Sequence, residues 1–249
     1  MYPCLFFFSL TSIIHHKPPE MTNMKTIGIS IPTIEGGVIA HQEIGREAAR
    51  RGIAYPQIVT HTPLYGDLEQ ALKSGDNQAL AASLADSINR TAKAGAEFAI
   101  ISANTPHIAF DDIVVQSNIP VLSILDVAAD YCKKRGYKRV GVLGTNWTVK
   151  NALYNGPLQK REMAAVYVPD SDQEIVMNAI VNELINGLIL ESTTSELVRI
   201  AKELATRCDG IILGCTELPL VLTEQNCGIE VVDTTRLLSH AALDFATKE

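Results

Sequence analysis

From Lys25 onward the chain alternates short, wholly apolar runs with longer stretches whose apolar residues recur every third or fourth position. Lys25-Thr26-Ile27-Gly28-Ile29-Ser30-Ile31 predicts a buried strand, followed by a turn at Glu35-Gly36-Gly37 and a helix ending near Gly52. Ile58-Val59-Thr60 predicts a second strand. Asp76 is placed to cap a helix in which Leu80, Leu84, Ile88 and Ala92 share one face, and Gly95 is placed to end it. Phe98-Ala99-Ile100-Ile101 and the stretch 120–125 predict two more strands, the latter leading into a helix that stops at Gly136. Arg139-Val140-Gly141-Val142-Leu143 opens the second half as a strand. Ser171-Asp172-Gln173-Glu174 reads as a capping box for a helix running towards Gly187. Leu197, Ile200, Ala201 and Leu204 mark another helix, and strands at Ile211-Ile212-Leu213 and Glu230-Val231-Val232 precede a closing amphipathic helix. Strands this apolar, alternating with helices, predict α/β architecture with parallel sheets covered on both faces.

The two halves also repeat. Ile100-Ile101-Ser102-Ala103-Asn104-Thr105 has the shape of Ile212-Leu213-Gly214-Cys215-Thr216-Glu217, 112 residues later. Each is followed by a helical stretch and then a similar strand, 119–122 in one half and 229–232 in the other. Two related lobes, 24–125 plus 234–249 and 126–233, would bring both motifs to one cleft at the carboxyl ends of their strands.

Composition narrows the function more than the fold. Of 249 residues 47% are hydrophobic and 20% charged, and the net charge of −7 comes without a basic run, which excludes a phosphate-tracking nucleic-acid surface. The five cysteines, Cys4, Cys132, Cys208, Cys215 and Cys227, are irregularly spaced with no CxxC pair. Neither a disulfide framework nor a zinc site is expected, so a reducing, cytoplasmic setting is. Residues 1–23 read as a non-native or disordered N-terminal extension, the functional chain starting at Met21 or Met24, with a weak export signal as the minor alternative. The apolar run 3–10 is too short to span a bilayer and no later run is long enough.

Cys215 falls where a buried strand gives way to a helix, in Gly214-Cys215-Thr216-Glu217-Leu218-Pro219. A helix N-terminus would pull the thiol pKa towards neutrality and make it a usable acid/base. The competing role is a small buried core residue. Glu35-Gly36-Gly37 is either a plain turn or a lining of the cleft. His61 reads as a loop residue that could face the cleft. Asp126 and Asp233 are placed to cap helices, and Cys132 to fill a helix core.

Leu213-Gly214-Cys215-Thr216-Glu217-Leu218-Pro219-Leu220 resembles the second cysteine motif of the cofactor-independent aspartate/glutamate racemases. Val142-Leu143-Gly144-Thr145, Tyr167-Val168-Pro169-Asp170 and Asp233-Thr234-Thr235 are similar to further motifs of that family, in order. Asn104-Thr105-Pro106-His107 resembles its first-half motif, where the family reads Cys-Asn-Thr. The resemblance implies two pseudo-symmetric flavodoxin-like lobes with the active site between them. It also implies an isomerase without pyridoxal phosphate, metal or other cofactor, acting on a small amino acid or carboxylic acid, and a homodimer. Cys215 would be one acid/base, with Asn104, Thr105, Thr145, Thr216 and Glu217 binding substrate. The sequence departs from the family where its first cysteine would stand: Ala103 carries no proton. His107 and Thr105 are the nearest candidates for a second acid/base, His107 with the right intrinsic pKa, and Ile185 and Asn186 occupy the neighbourhood where some aspartate racemases carry a side-chain-binding lysine. The lone thiol leaves two alternatives open, a decarboxylase of a malonate-like acid and a degenerate homologue that only binds a small acid.

Overall fold

The computed structural model describes residues 24–248; the readings made of residues 1–23 lie outside the described residues. Two four-stranded parallel sheets carry the chain. The first is formed by β1 (Ile27–Ser30), β2 (Ile58–His61), β3 (Phe98–Ile101) and β4 (Val121–Leu122), in the order β2-β1-β3-β4. The second comprises β5 (Arg139–Gly144), β6 (Ala164–Val166), β7 (Gly210–Gly214) and β8 (Val231–Asp233), in the order β6-β5-β7-β8. The orders are the same with every number raised by four, so the sequence repeat corresponds to a structural one: β3 and β7 occupy matching places. Every residue of β1, β3 and β7 is buried, the burial expected of central parallel strands packed on both faces.

Helices fill the crossovers. Helix Ile34–Arg51 ends at Gly52, whose left-handed φ of 68° lets its N–H reach Ala48 and Ala49 carbonyls. Helix Asn77–Lys93 starts at Asp76, whose carboxylate accepts from Ala79 N at 2.9 Å, and buries Leu80, Leu84 and Ile88 completely. Full burial of one such side chain stabilises by about 1.5–3 kcal/mol. The closing helix Thr234–Thr247 packs back on both Ile34–Arg51 and Ile124–Lys134. One core cluster joins both sheets, with Ile29 and Ile100 from one, Val142 and Ile212 from the other, and Tyr154 and Leu238 between.

Several local expectations are corrected. Gly36 and Gly37 are not a turn but the first turn of helix Ile34–Arg51. A Cβ on Gly36 would sit 2.3 Å from the Ser102 carbonyl oxygen, so glycine is what lets this helix start against the end of β3. Ser171 caps nothing: helix Asp170–Asn182 begins two residues after Val168, with Pro169 at the N-cap and no side-chain cap. The cap of helix Ile124–Lys134 is Ser123, accepting from Asp126 N at 3.2 Å, which shortens the predicted strand at 120–125 to two residues. Asp126 itself pairs with Arg161 at 2.9 Å. Asp233 does cap its helix, accepting from Arg236 N at 3.0 Å. β6, an Ala-Ala-Val edge strand, gave no sequence signal.

Candidate active site

The carboxyl ends of both sheets open onto one cavity of about 740 Å³. Its polar floor is made of Ala103, Asn104 and Thr105 after β3, Thr145 after β5, and Gly214, Cys215, Thr216 and Glu217 after β7. Thr33 and Glu35 after β1 and Thr62 after β2 complete the first-lobe side. The site thus lies where open parallel sheets place ligands.

Cys215 donates its S–H to Glu217 Oε2 at 2.9 Å, and the Thr216 hydroxyl donates to the same oxygen at 2.7 Å. Glu217 is 3% exposed. The thiol pKa lies well above the ordinary cysteine value, the reverse of the sequence expectation. Burial is the main cause and the Glu217 carboxylate, by charge and hydrogen bond, the next; the N–H groups of Glu217 and Thr216 face the sulfur and offset part of this. The expectation failed because no helix follows Cys215. Only a three-residue 3-10 turn does, Leu218–Leu220, and its dipole is too short to lower a pKa. At neutral pH Cys215 is a thiol held against a carboxylate. Glu217→Gln removes the charge that disfavours the thiolate, so thiolate forms at lower pH than in wild type, yet still above an ordinary cysteine because burial persists. The pH profile of iodoacetamide labelling, corrected with Cys215→Ser, reads this shift; an unmoved profile would show that Glu217 does not set the thiol.

Asn104 is 3% exposed and joins the lobes. Its Oδ1 accepts from the Tyr154 hydroxyl at 2.6 Å, and its Nδ2 donates to Thr234 Oγ1 at 3.0 Å, which donates onward to the Leu213 carbonyl at 3.0 Å. The side chain is thus committed to structure. Asn104→Ala leaves a buried phenol and hydroxyl short of partners and costs about 1–3 kcal/mol, measurable as a lower urea midpoint at unchanged m value. Thr105 reaches across in the same way: its Oγ1 lies 3.0 Å from Thr145 Oγ1 and 3.3 Å from Thr148 Oγ1. Thr148, Tyr154 and Thr234 were not singled out from the sequence. Thr234 belongs to the Asp233-Thr234-Thr235 motif, but nothing local marks Thr148 or Tyr154. Gly214 lets β7 pack closely beside the cavity: a Cβ there would meet the Leu143 carbonyl oxygen at 3.1 Å and the Tyr154 ring at 3.6 Å.

Ala103 lines the cavity at the place matching Cys215, and Ser102 points away, its hydroxyl buried and 3.4 Å from the Ser30 carbonyl. His107 is not brought to the cavity. It is 5% exposed, with Nδ1 3.0 Å from the Ala103 carbonyl and Nε2 accepting from Ile124 N at 3.2 Å. Burial pushes its pKa down to about 4, so the ring is neutral at pH 7 with Nδ1–H donating and both nitrogens occupied. As second acid/base it has no free atom to offer. His61 is likewise engaged, Nδ1 lying 3.0 Å from Ser87 Oγ, while its neighbours Thr62 and Pro63 line the cavity. Cys132 is fully buried. Among the described residues no group of three or more His, Cys, Asp or Glu is placed to hold a metal, and no helix is long and apolar enough to cross a membrane.

The family description Asp/Glu/Hydantoin racemase matches residues 33–242. A solved candidate Asp/Glu racemase from Yersinia pestis is 31% identical, with 90% of this chain and all of that one covered at a TM-score of 0.83. An aspartate racemase homologue from Pyrococcus horikoshii is 28% identical with the same coverage and a TM-score of 0.77. The broad specificity amino-acid racemase RacX of Bacillus subtilis is 23% identical over 198 residues, 78% of this chain and 84% of that protein. On the match, the repeat and the shared cleft, the chain belongs to the Asp/Glu/hydantoin racemase family.

Proposed function

We propose that the protein is a cofactor-independent amino-acid racemase in which Cys215 is one acid/base for α-proton transfer. The observation that carries the proposal is the Cys215–Glu217 pair: a thiol 2.9 Å from a buried carboxylate, on the floor of a cavity formed by two strand ends. Passing the thiol proton to Glu217 yields a thiolate that can take the substrate α-proton; the reverse passage returns one. The charge that develops on the substrate carboxylate would be met by the Thr105 N–H at the start of the 3-10 turn Thr105–Ala109 and by the Thr105 and Thr145 hydroxyls. We assign the opposite face to a non-thiol group reached across Ala103. The proposal includes a homodimer working in the cytoplasm, a setting that suits four described cysteines with free thiols.

Proton NMR in heavy water tests this reading: an amino acid should lose its α-proton signal, and chiral chromatography should then show inversion. A second reading is favoured by Ala103 together with the raised Cys215 pKa, because a resting thiol opposite a methyl suits protonation on one face. In it Cys215 protonates the enolate left when a malonate-like acid loses carbon dioxide. Release of carbon dioxide from a disubstituted malonate, with no α-proton exchange of amino acids, would select it.

A further inference from the structure

Above its polar floor the cavity is walled by apolar side chains. Helix Tyr65–Ser74 and the residue before it contribute Leu64, Tyr65 and Leu68 from the first lobe; Ile180 and Val181 of helix Asp170–Asn182, with Ile185 of the following 3-10 turn, face in from the second. Leu64 is 74% exposed and Tyr65 54%, an apolar mouth left open to solvent. The charges are the wrong ones for a dicarboxylate. Glu35, Glu69 and Glu217 line the cavity against one cation, Lys73, and that ammonium is 2.9 Å from Glu69 and 63% exposed. Among the described residues no arginine lines it. A substrate side-chain carboxylate would therefore enter an acidic, largely apolar space with no free cation among the described lining residues, which burial penalises. A hydrocarbon or thioether side chain would replace solvent along both walls.

We infer that the side-chain subsite of this enzyme takes α-amino acids with bulky, uncharged, apolar side chains, such as leucine or methionine, in preference to aspartate or glutamate. The inference rests on the racemase reading only in placing the α-carbon at the floor. The volume agrees: about 740 Å³ is ample for such a side chain and poorly filled by a short polar one. The α-ammonium of the substrate is compatible with the same glutamates that disfavour a second carboxylate, since it brings the opposite charge.

Trp147 is the single tryptophan of the chain and lines the cavity, so its fluorescence reports binding without turnover. Titration of the full chain with leucine and methionine should give saturable changes with half-saturation at least about tenfold below that of aspartate. Ile185→Lys, at a half-open position of the wall, should shrink that ratio by strengthening aspartate and weakening leucine. Aspartate binding as tightly as leucine, or no binding by either apolar acid, overturns the inference. Exchange in heavy water with the same acids separates it from the racemase reading. Leucine that binds but never exchanges leaves the subsite standing and removes the proton-transfer role; aspartate that exchanges while leucine neither binds nor exchanges does the opposite.

Discussion

Cys215→Ser is expected to slow α-proton exchange by about 10³-fold, the scale on which a positioned acid/base contributes. Serine keeps the size of the side chain and its hydrogen bond to Glu217, so the cavity floor stays assembled. What it loses is acidity: an alcohol is far harder to ionise than a thiol, even one whose pKa burial and Glu217 have already raised. The fold should hold, because the change alters one sulfur at a partly accessible position, and thermal melting would confirm it. Loss of the NMR-detected exchange with an unchanged melting profile is therefore the expected pattern. A serine variant that exchanges at the wild-type rate would falsify the role given to Cys215.

The second large effect runs the other way. Ala103→Cys should raise two-way exchange by about 10²-fold, since a thiol would then face the α-carbon from each strand end. The substitution is spatially mild, because Ala103 borders the cavity and its new sulfur extends into free volume. Chiral chromatography starting from either enantiomer reads the rate in both directions. If the variant folds and the rate stays flat, the α-carbon does not lie between the ends of β3 and β7. That result would move support to the one-face decarboxylation chemistry.

Much of the fold could be read from the chain. Apolar runs such as Phe98–Ile101 and the four-residue steps of Leu80, Leu84 and Ile88 carry their own period, and the Ala103–Cys215 repeat pointed to matching sheet positions. Failures were of two physical kinds. Gly36-Gly37 looks like a turn because glycine readily adopts left-handed backbone, yet here the pair serves close packing, Gly36 against the Ser102 carbonyl and Gly37 against Ile31, which only the tertiary fold reveals. The Cys215 environment depended on burial and on the absence of a long helix after Pro219, and no local pattern reports either. The same holds for His107: an imidazole suits acid/base work near neutral pH, while its two hydrogen bonds to backbone groups arise only in the tertiary fold. The apolar wall was invisible for a further reason, because Leu64, Tyr65 and Val181 come from elements more than a hundred residues apart.

The bonds that cross between the lobes are concentrated on the cavity floor, in the Asn104–Tyr154–Thr234 chain and the Thr105–Thr145–Thr148 hydroxyls. A floor pinned in this way acts as the fulcrum of any rocking motion. Displacement then grows with height, least around Cys215 and most at Tyr65 and Ile185 on the rim. Under the proposed chemistry, entry and release would proceed by flexing the rim while the distances between reacting groups stay fixed, which separates breathing from proton transfer within one cleft.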